Sequence, residues 1–127
     1  MGIVKKIFAI IFLSCVSLYA VEWLSYGEAK LLQEQNKKVI MIDVVRSSCH
    51  YCSDMETEVF DNVKMARYLN ERFLLVKVNL DKDIMPLSIK PAFTPSFYFI
   101  DKNENVIKTI NGAWNIEDFK SLTKDIK

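Results

Sequence analysis

The chain has 127 residues, of which 50% are apolar and 26% are charged, and its formal net charge is +1. This length suits one domain, and three glycines and three prolines exclude a collagen-like or a Gly/Pro-rich disordered chain. Because basic residues barely outnumber acidic ones, nothing in the charge predicts a nucleic-acid partner.

The first twenty residues have the pattern of a secretory signal peptide. Two lysines precede an apolar run at 7–16, and Ala20 is a small residue at a plausible cleavage point. The run is too short to favour a membrane span. We therefore expect residues 1–20 to be a signal peptide and residues 21–127 to form a periplasmic or otherwise exported domain. The alternatives are an uncleaved N-terminal membrane anchor and a lipoprotein signal at Cys15.

The remaining sequence predicts alternating helices and strands. Capping residues followed by apolar residues at helical spacing mark the helices, and β-branched runs mark the strands. In order, we expect a helix at 25–36, a strand at 39–45, a helix at about 52–71, a strand at 73–80, a loop at 81–94, strands at 96–100 and 106–110, and a helix at 115–126. The first two strands should be parallel and the last two antiparallel. This predicts an α/β fold, a small mixed sheet of about four strands with helices on both faces.

Cys49 and Cys52 lie where the first predicted strand leads into a helix. A helix N-terminus presents unpaired N–H groups and a partial positive charge, which favour a thiolate at Cys49. The two-residue spacer lets Cys52 reach Cys49, so the pair can cycle between dithiol and disulfide and needs no bound cofactor. We therefore expect thiol–disulfide exchange, with Cys49 as the attacking sulfur and Cys52 as the resolving one.

Several segments carry a resemblance to a known family. They are Trp23-Leu24-Ser25-Tyr26 with Glu28-Ala29, Val39 to Asp43, Cys52-Ser53-Asp54-Met55-Glu56 with Val59-Phe60, Phe73 to Asp81, Phe93-Thr94-Pro95-Ser96-Phe97, and Asn111-Gly112. In order and spacing they resemble the thioredoxin-fold thiol–disulfide oxidoreductases of the exported, Dsb- and SoxW-like type, whose opening helix the first segment resembles. The resemblance covers nearly all of residues 23–126. It implies a thioredoxin fold and disulfide exchange with protein clients.

Asp43 is the one charged residue in the first predicted strand. A buried carboxylate has a raised pKa and can hold a proton. The resemblance implies that Asp43 helps to deprotonate Cys52, whereas the alternative is a hydrogen-bonded structural carboxylate. Lys77, on the neighbouring predicted strand, is expected either to pair with Asp43 or to be a solvated lysine on a sheet edge.

The resemblance also implies a substrate-binding segment and a pair of redox-tuning residues. Pro95 is expected in the cis form, with the backbone of Thr94 free to pair with an extended substrate strand. The alternative is a trans proline at the start of an edge strand. His50 and Tyr51 stand where thioredoxin has Gly-Pro, and residues at these positions tune the redox potential. A protonated His50 would stabilise the Cys49 thiolate and make the disulfide more oxidising. The alternative is an exposed loop histidine of little effect.

Several functions stay open at this point. A monomeric reductase of protein disulfides, recycled by a membrane redox partner, is favoured because Asp43 resembles the proton shuttle of reducing members and no dimerisation segment is visible. A disulfide oxidase or isomerase would use the same cysteines. A Cu(I) carrier could bind through Cys49, His50 and Cys52, although no second Cys/His cluster completes a zinc site and we expect no resident metal. A fourth hypothesis is that the protein is a non-catalytic fold that binds clients.

Overall fold

The computed structural model describes residues 20–127, so the predicted signal peptide lies almost wholly outside the described residues. In chain order the elements are β1 (Trp23–Leu24), α1 (Tyr26–Asn36), β2 (Val39–Val45), α2 (His50–Met55), a π-helix (Glu56–Phe60), α3 (Val63–Arg72), β3 (Phe73–Asn79), β4 (Ser96–Ile100), β5 (Val106–Asn111) and α4 (Ile116–Thr123). In this part of the chain, no helix combines the length and the apolar character that crossing a membrane requires.

The strands form one mixed sheet in the order β1-β3-β2-β4-β5. β1 and β2 both run parallel to β3, whereas β2–β4 and β4–β5 are antiparallel. The predicted parallel and antiparallel pairs are therefore confirmed. The expected count of about four strands is one too low, because Trp23 and Leu24 pair with Leu75 and Val76 at the sheet edge. Two residues are too short a run for an alternating pattern to reveal.

The long helix expected at about 52–71 is broken in two. Its first part is α2 continued by the π-helix, and its second part is α3. Asn62 lies between them in an extended conformation, and its Oδ1 accepts a hydrogen bond from the N–H of Met65 at 3.0 Å. An asparagine that caps a helix in this way competes with continued helical hydrogen bonding, so it ends one helix and starts the next.

Helices cover both faces of the sheet, as predicted. α1 packs on one face through Ala29, and α2, the π-helix, α3 and α4 pack on the other. On the second face three phenylalanine rings, from the π-helix, β4 and α4, meet edge to face with centroids 4.9–6.2 Å apart: Phe60, Phe97 and Phe119. β2 is buried on both faces, which explains its near-continuous apolar sequence. Its carboxyl end leads directly into the loop that precedes α2.

Candidate active site

Cys49 and Cys52 form a disulfide at the N-terminus of α2, with an S–S distance of 2.13 Å and a Cα–Cα distance of 5.2 Å. Cys49 is the N-cap residue of this helix, and its Sγ accepts a hydrogen bond from the Cys52 N–H at 3.1 Å. Both cysteines are partly exposed. The structure thus places the pair at the strand-to-helix junction that the sequence predicted.

A second donor reaches Cys49 from the loop before β4. The hydroxyl of Thr94 lies 3.3 Å from the Cys49 Sγ, and the Thr94–Pro95 peptide bond is cis. The carbonyl of Pro95 accepts the N–H of Gly112 at 2.8 Å. Gly112 has φ +85°, a conformation that favours glycine. The turn after β5 therefore supports the segment that faces the disulfide. Sequence reasoning assigned the backbone of Thr94 to substrate binding and missed its hydroxyl, because no pattern shows which loop meets Cys49.

Asp43 lies on the face of β2 that the active-site helix covers. Asp43 is two residues from Met41, so the two side chains project from the same face of the strand. Met41 packs in the same core cluster as Met55 and Val59. Asp43 is 1% exposed, and its Oδ1 has no hydrogen-bond partner among the described residues. Burial raises the pKa of this carboxyl to about 7, against the opposing charge of Lys77. The predicted buried carboxylate with a raised pKa is therefore present.

Lys77 has neither of its predicted roles. It is paired with Asp43 in the β2–β3 register, but its Nζ contacts the Oε2 of Glu56 at 2.5 Å. It is also not a solvated edge lysine, because β3 lies between β1 and β2 and the side chain is only 28% exposed. Its ammonium lies 4.3 Å from the centroid of the Trp23 ring. The interaction with Glu56 was missed because it joins a helix to a strand and leaves no local sequence signal.

The two residues between the cysteines point to solvent. His50 is 83% exposed, and its Nε2 lies 3.4 Å from the Oδ2 of Asp54, one helical turn further on. Tyr51 is 64% exposed. Phe93, beside Thr94, is 60% exposed. Trp114 is 38% exposed, and its backbone N–H donates to the Sδ of Met55. Exposed aromatic rings therefore occur in α2, in the loop before β4 and after β5.

The described residues contain no cluster of three or more His, Cys, Asp or Glu side chains that could hold a metal ion. Cys49, His50 and Cys52, the ligands of the alternative Cu(I) reading, do not form such a cluster within residues 20–127. What these residues present instead is a disulfide, two donors to one of its sulfurs and a buried carboxyl on the sheet beneath the helix.

A comparison with protein families identifies the chain. The model of the Thioredox_DsbH family, described as a protein of unknown function (DUF255), matches residues 11–94, well over half of the sequence. The chain belongs to this family. Among curated relatives, the mouse spermatogenesis-associated protein 20 is 38% identical to this Thioredox_DsbH chain over 63 residues, which is 49% of the chain and 8% of the mouse protein. The chain spans less than a tenth of the length of the curated relatives it matches.

Solved structures establish the fold. A structure named DsbH Oxidoreductase superposes with a TM-score of 0.64 at 17% identity, over 89% of this chain and 90% of that one. A thioredoxin from Thermus thermophilus superposes with a TM-score of 0.68 at 21% identity, over 84% and 87% of the two chains. The Thioredox_DsbH chain thus has a thioredoxin fold with a CxxC disulfide at a helix N-terminus. The predicted thioredoxin fold is confirmed.

Proposed function

We propose that this protein is an exported reductase of protein disulfides that carries two electrons on Cys49 and Cys52 without a bound cofactor. The observation that carries the proposal is the position of the Cys49 sulfur as the N-cap acceptor of α2. The N–H of Cys52 and the hydroxyl of Thr94 both donate to it. Donors to sulfur favour the thiolate over the thiol, and the thiolate is the nucleophile in disulfide exchange.

The reaction transfers two electrons from the dithiol to the client. The Cys49 thiolate attacks one sulfur of the client disulfide, the Cys49–client bond forms, the client S–S bond breaks, and the other client sulfur leaves as a thiolate. The Cys52 thiol then gives its proton to Asp43, and the Cys52 thiolate attacks the Cys49 Sγ. The Cys49–Cys52 bond forms, the mixed disulfide breaks, and the second client sulfur leaves. Solvent protonates the client thiolates.

The orientation of His50 supports the reducing direction. An imidazolium directed at Cys49 would stabilise its thiolate and make the disulfide more oxidising. Instead, the His50 ring lies against the Asp54 carboxylate and projects into solvent. Asp54 offsets positive charge at this helix end. When no cation is directed at the attacking sulfur, the disulfide is harder to reduce and the dithiol is the better reductant. We therefore propose that His50 and Tyr51, which project into solvent, tune the potential in the reducing direction.

The surface around the disulfide suits a protein client. Tyr51, Phe93 and Trp114 offer exposed aromatic area on three adjoining segments, and aromatic residues are enriched where proteins bind one another. The Thr94 backbone offers hydrogen bonds to an extended client strand, which give affinity with little sequence demand. Such a reductase acts as a monomer, takes its electrons from a membrane redox partner after export to the periplasm or an equivalent compartment, and has no nucleic-acid partner. The likeness to a structure named DsbH Oxidoreductase supports this placement.

Reduction of insulin with dithiothreitol as electron source tests the proposal. We expect the parent protein to accelerate insulin precipitation, Cys49→Ser to abolish the acceleration, and Cys52→Ser to accumulate mixed disulfides that non-reducing gels resolve. Ser53→Ala, at an exposed neighbour in the same helix, is the matched control and should keep the parent rate. A parent protein no faster than dithiothreitol alone, or an active Cys49→Ser, would contradict the proposal.

A further inference from the structure

Three charged side chains form a cluster on the sheet face covered by the active-site helix. Asp43 and Lys77 are register partners on the parallel strands β2 and β3, so their side chains project from the same face. The Lys77 Nζ, however, pairs with the Glu56 Oε2 at 2.5 Å. The Trp23 ring, with its centroid 4.3 Å away, gives the ammonium a second favourable contact. The cation therefore sits between Glu56 and an indole ring.

Glu56 connects this cluster to the resolving cysteine. It is the first residue of the π-helix, and its backbone N–H donates to the carbonyl of Cys52. Residues four apart lie on the same side of a helix, so Cys52 and Glu56 share one side. The Glu56 side chain is 40% exposed. It thus holds the Lys77 ammonium at the partly exposed margin of the cluster.

Among residues 20–127, Asp43 has no ion-pair partner. The charged groups facing it are Lys77 from β3 and Glu56 from the π-helix, while its register partner on β4 is the uncharged Phe97. Its Oδ1 has no hydrogen-bond partner in the described part of the chain. Burial raises the pKa of the Asp43 carboxyl most, Lys77 lowers it, and Glu56 raises it further. Glu56 therefore raises the pKa of Asp43 through its own charge. It also pairs with the Lys77 ammonium, which would otherwise lower that pKa further.

We propose that Glu56 is a positioning residue for the proton transfer from Cys52: by holding the Lys77 ammonium, it leaves the Asp43 carboxylate free to accept that proton near neutral pH. This inference rests on the proposed reductase function. During resolution of the mixed disulfide, the Cys52 S–H bond breaks, the proton moves to Asp43, and the electron pair on sulfur attacks the Cys49 Sγ. The Cys49–Cys52 bond forms, the Cys49–client bond breaks, and the client sulfur leaves as a thiolate. Without Glu56, Lys77 is free to pair with its register partner, and the carboxylate becomes a weaker base.

The direct test is a titration of the Asp43 carboxyl by carbon NMR in the full, oxidised chain. In Glu56→Gln we expect the midpoint to fall by about one pH unit or more, the effect of a cation that moves next to a carboxylate. Glu58→Gln removes an exposed carboxylate from the same π-helix and is the matched control, with an unchanged midpoint. Lys77→Met should move the midpoint the opposite way. In the Lys77→Met background, Glu56→Gln should have a smaller effect, because the cation it releases is absent.

A second variant and a kinetic readout complete the test. Glu56→Asp keeps the charge but shortens the reach to Lys77, so its midpoint should also fall. In single-turnover reduction of a disulfide peptide, the pH midpoint of the resolution step should follow the NMR midpoint in each variant. Equal midpoints in Glu56→Gln and Glu58→Gln would overturn the role of Glu56. If the NMR midpoints shift as expected but no variant reduces a disulfide, the proposed function fails while the effect of Glu56 on Asp43 stands.

Discussion

Replacing Asp43 by asparagine should stabilise the oxidised protein, and the gain should grow with pH. The carboxyl is buried with one oxygen lacking a hydrogen bond. Its pKa is 3.8 in an ordinary setting and about 7 in the folded protein. Each pH unit between the two values corresponds to about 1.4 kcal/mol. Ionisation of Asp43 therefore destabilises the fold by about 4 kcal/mol above neutral pH.

The direction in which the free energy of unfolding changes with pH depends on which state, folded or unfolded, keeps the proton on Asp43. Between about pH 4 and pH 7 the folded state keeps a proton on Asp43 that the unfolded chain has released, so the free energy of unfolding falls as pH rises through this window. Below the window both states are protonated, and the carboxyl has no such cost. Asparagine has nearly the same shape and does not ionise. Parent and variant share every other titrating group, so their difference isolates Asp43.

Urea unfolding followed by circular dichroism provides the assay. The free energies of unfolding of the oxidised parent and of Asp43→Asn are compared from pH 4 to pH 8.5. We expect their difference to rise by about 4 kcal/mol in favour of the variant over this range. Asp61→Asn, which removes an exposed carboxylate, is the control. A difference that stays constant across the range would contradict this prediction, because it would mean that Asp43 ionises as readily in the folded protein as in the unfolded chain.

Three further changes have defined outcomes. Thr94→Val removes a donor to the Cys49 Sγ, so the thiolate absorbance of the reduced protein should develop at higher pH. An unshifted curve would show that this hydroxyl does not stabilise the Cys49 thiolate. Asn62→Ala removes the cap of α3 and should lower the free energy of unfolding by about 1 kcal/mol, as urea unfolding can measure. Phe97→Ala empties the centre of the aromatic cluster and should lower it by about 3–5 kcal/mol; a loss below about 1 kcal/mol would contradict the packing described.

The parts of the fold that were predictable are those with a local physical cause. The near-continuous apolar run of β2 follows from burial on both faces, and the position of Cys49 follows from the junction of that strand with a helix. The single charge within the run, Asp43, could be identified as a buried carboxylate for the same reason. Each of these conclusions depends on a few consecutive residues.

The features that escaped prediction depend on distant partners or on competition between neighbours. β1 has two residues, and its pairing with β3 is what makes it a strand. Asn62 interrupts an otherwise regular apolar pattern by capping α3. Lys77 and Glu56 are 21 positions apart in sequence. Thr94, whose hydroxyl lies beside Cys49, is 45 positions from that residue. The spacing of residues along the sequence does not predict which distant side chains will be in contact.

The reduction potential of the Cys49–Cys52 pair is the most direct test of whether this protein is a reductase. Oxidised and reduced protein are equilibrated in glutathione or dithiothreitol buffers, and the dithiol fraction is counted by thiol alkylation and mass. We expect one reversible two-electron couple near the thioredoxin value of about −270 mV. A couple near about −120 mV would contradict the reducing direction, and the absence of any reversible couple would contradict the assignment of Cys49 and Cys52 as a redox-active pair.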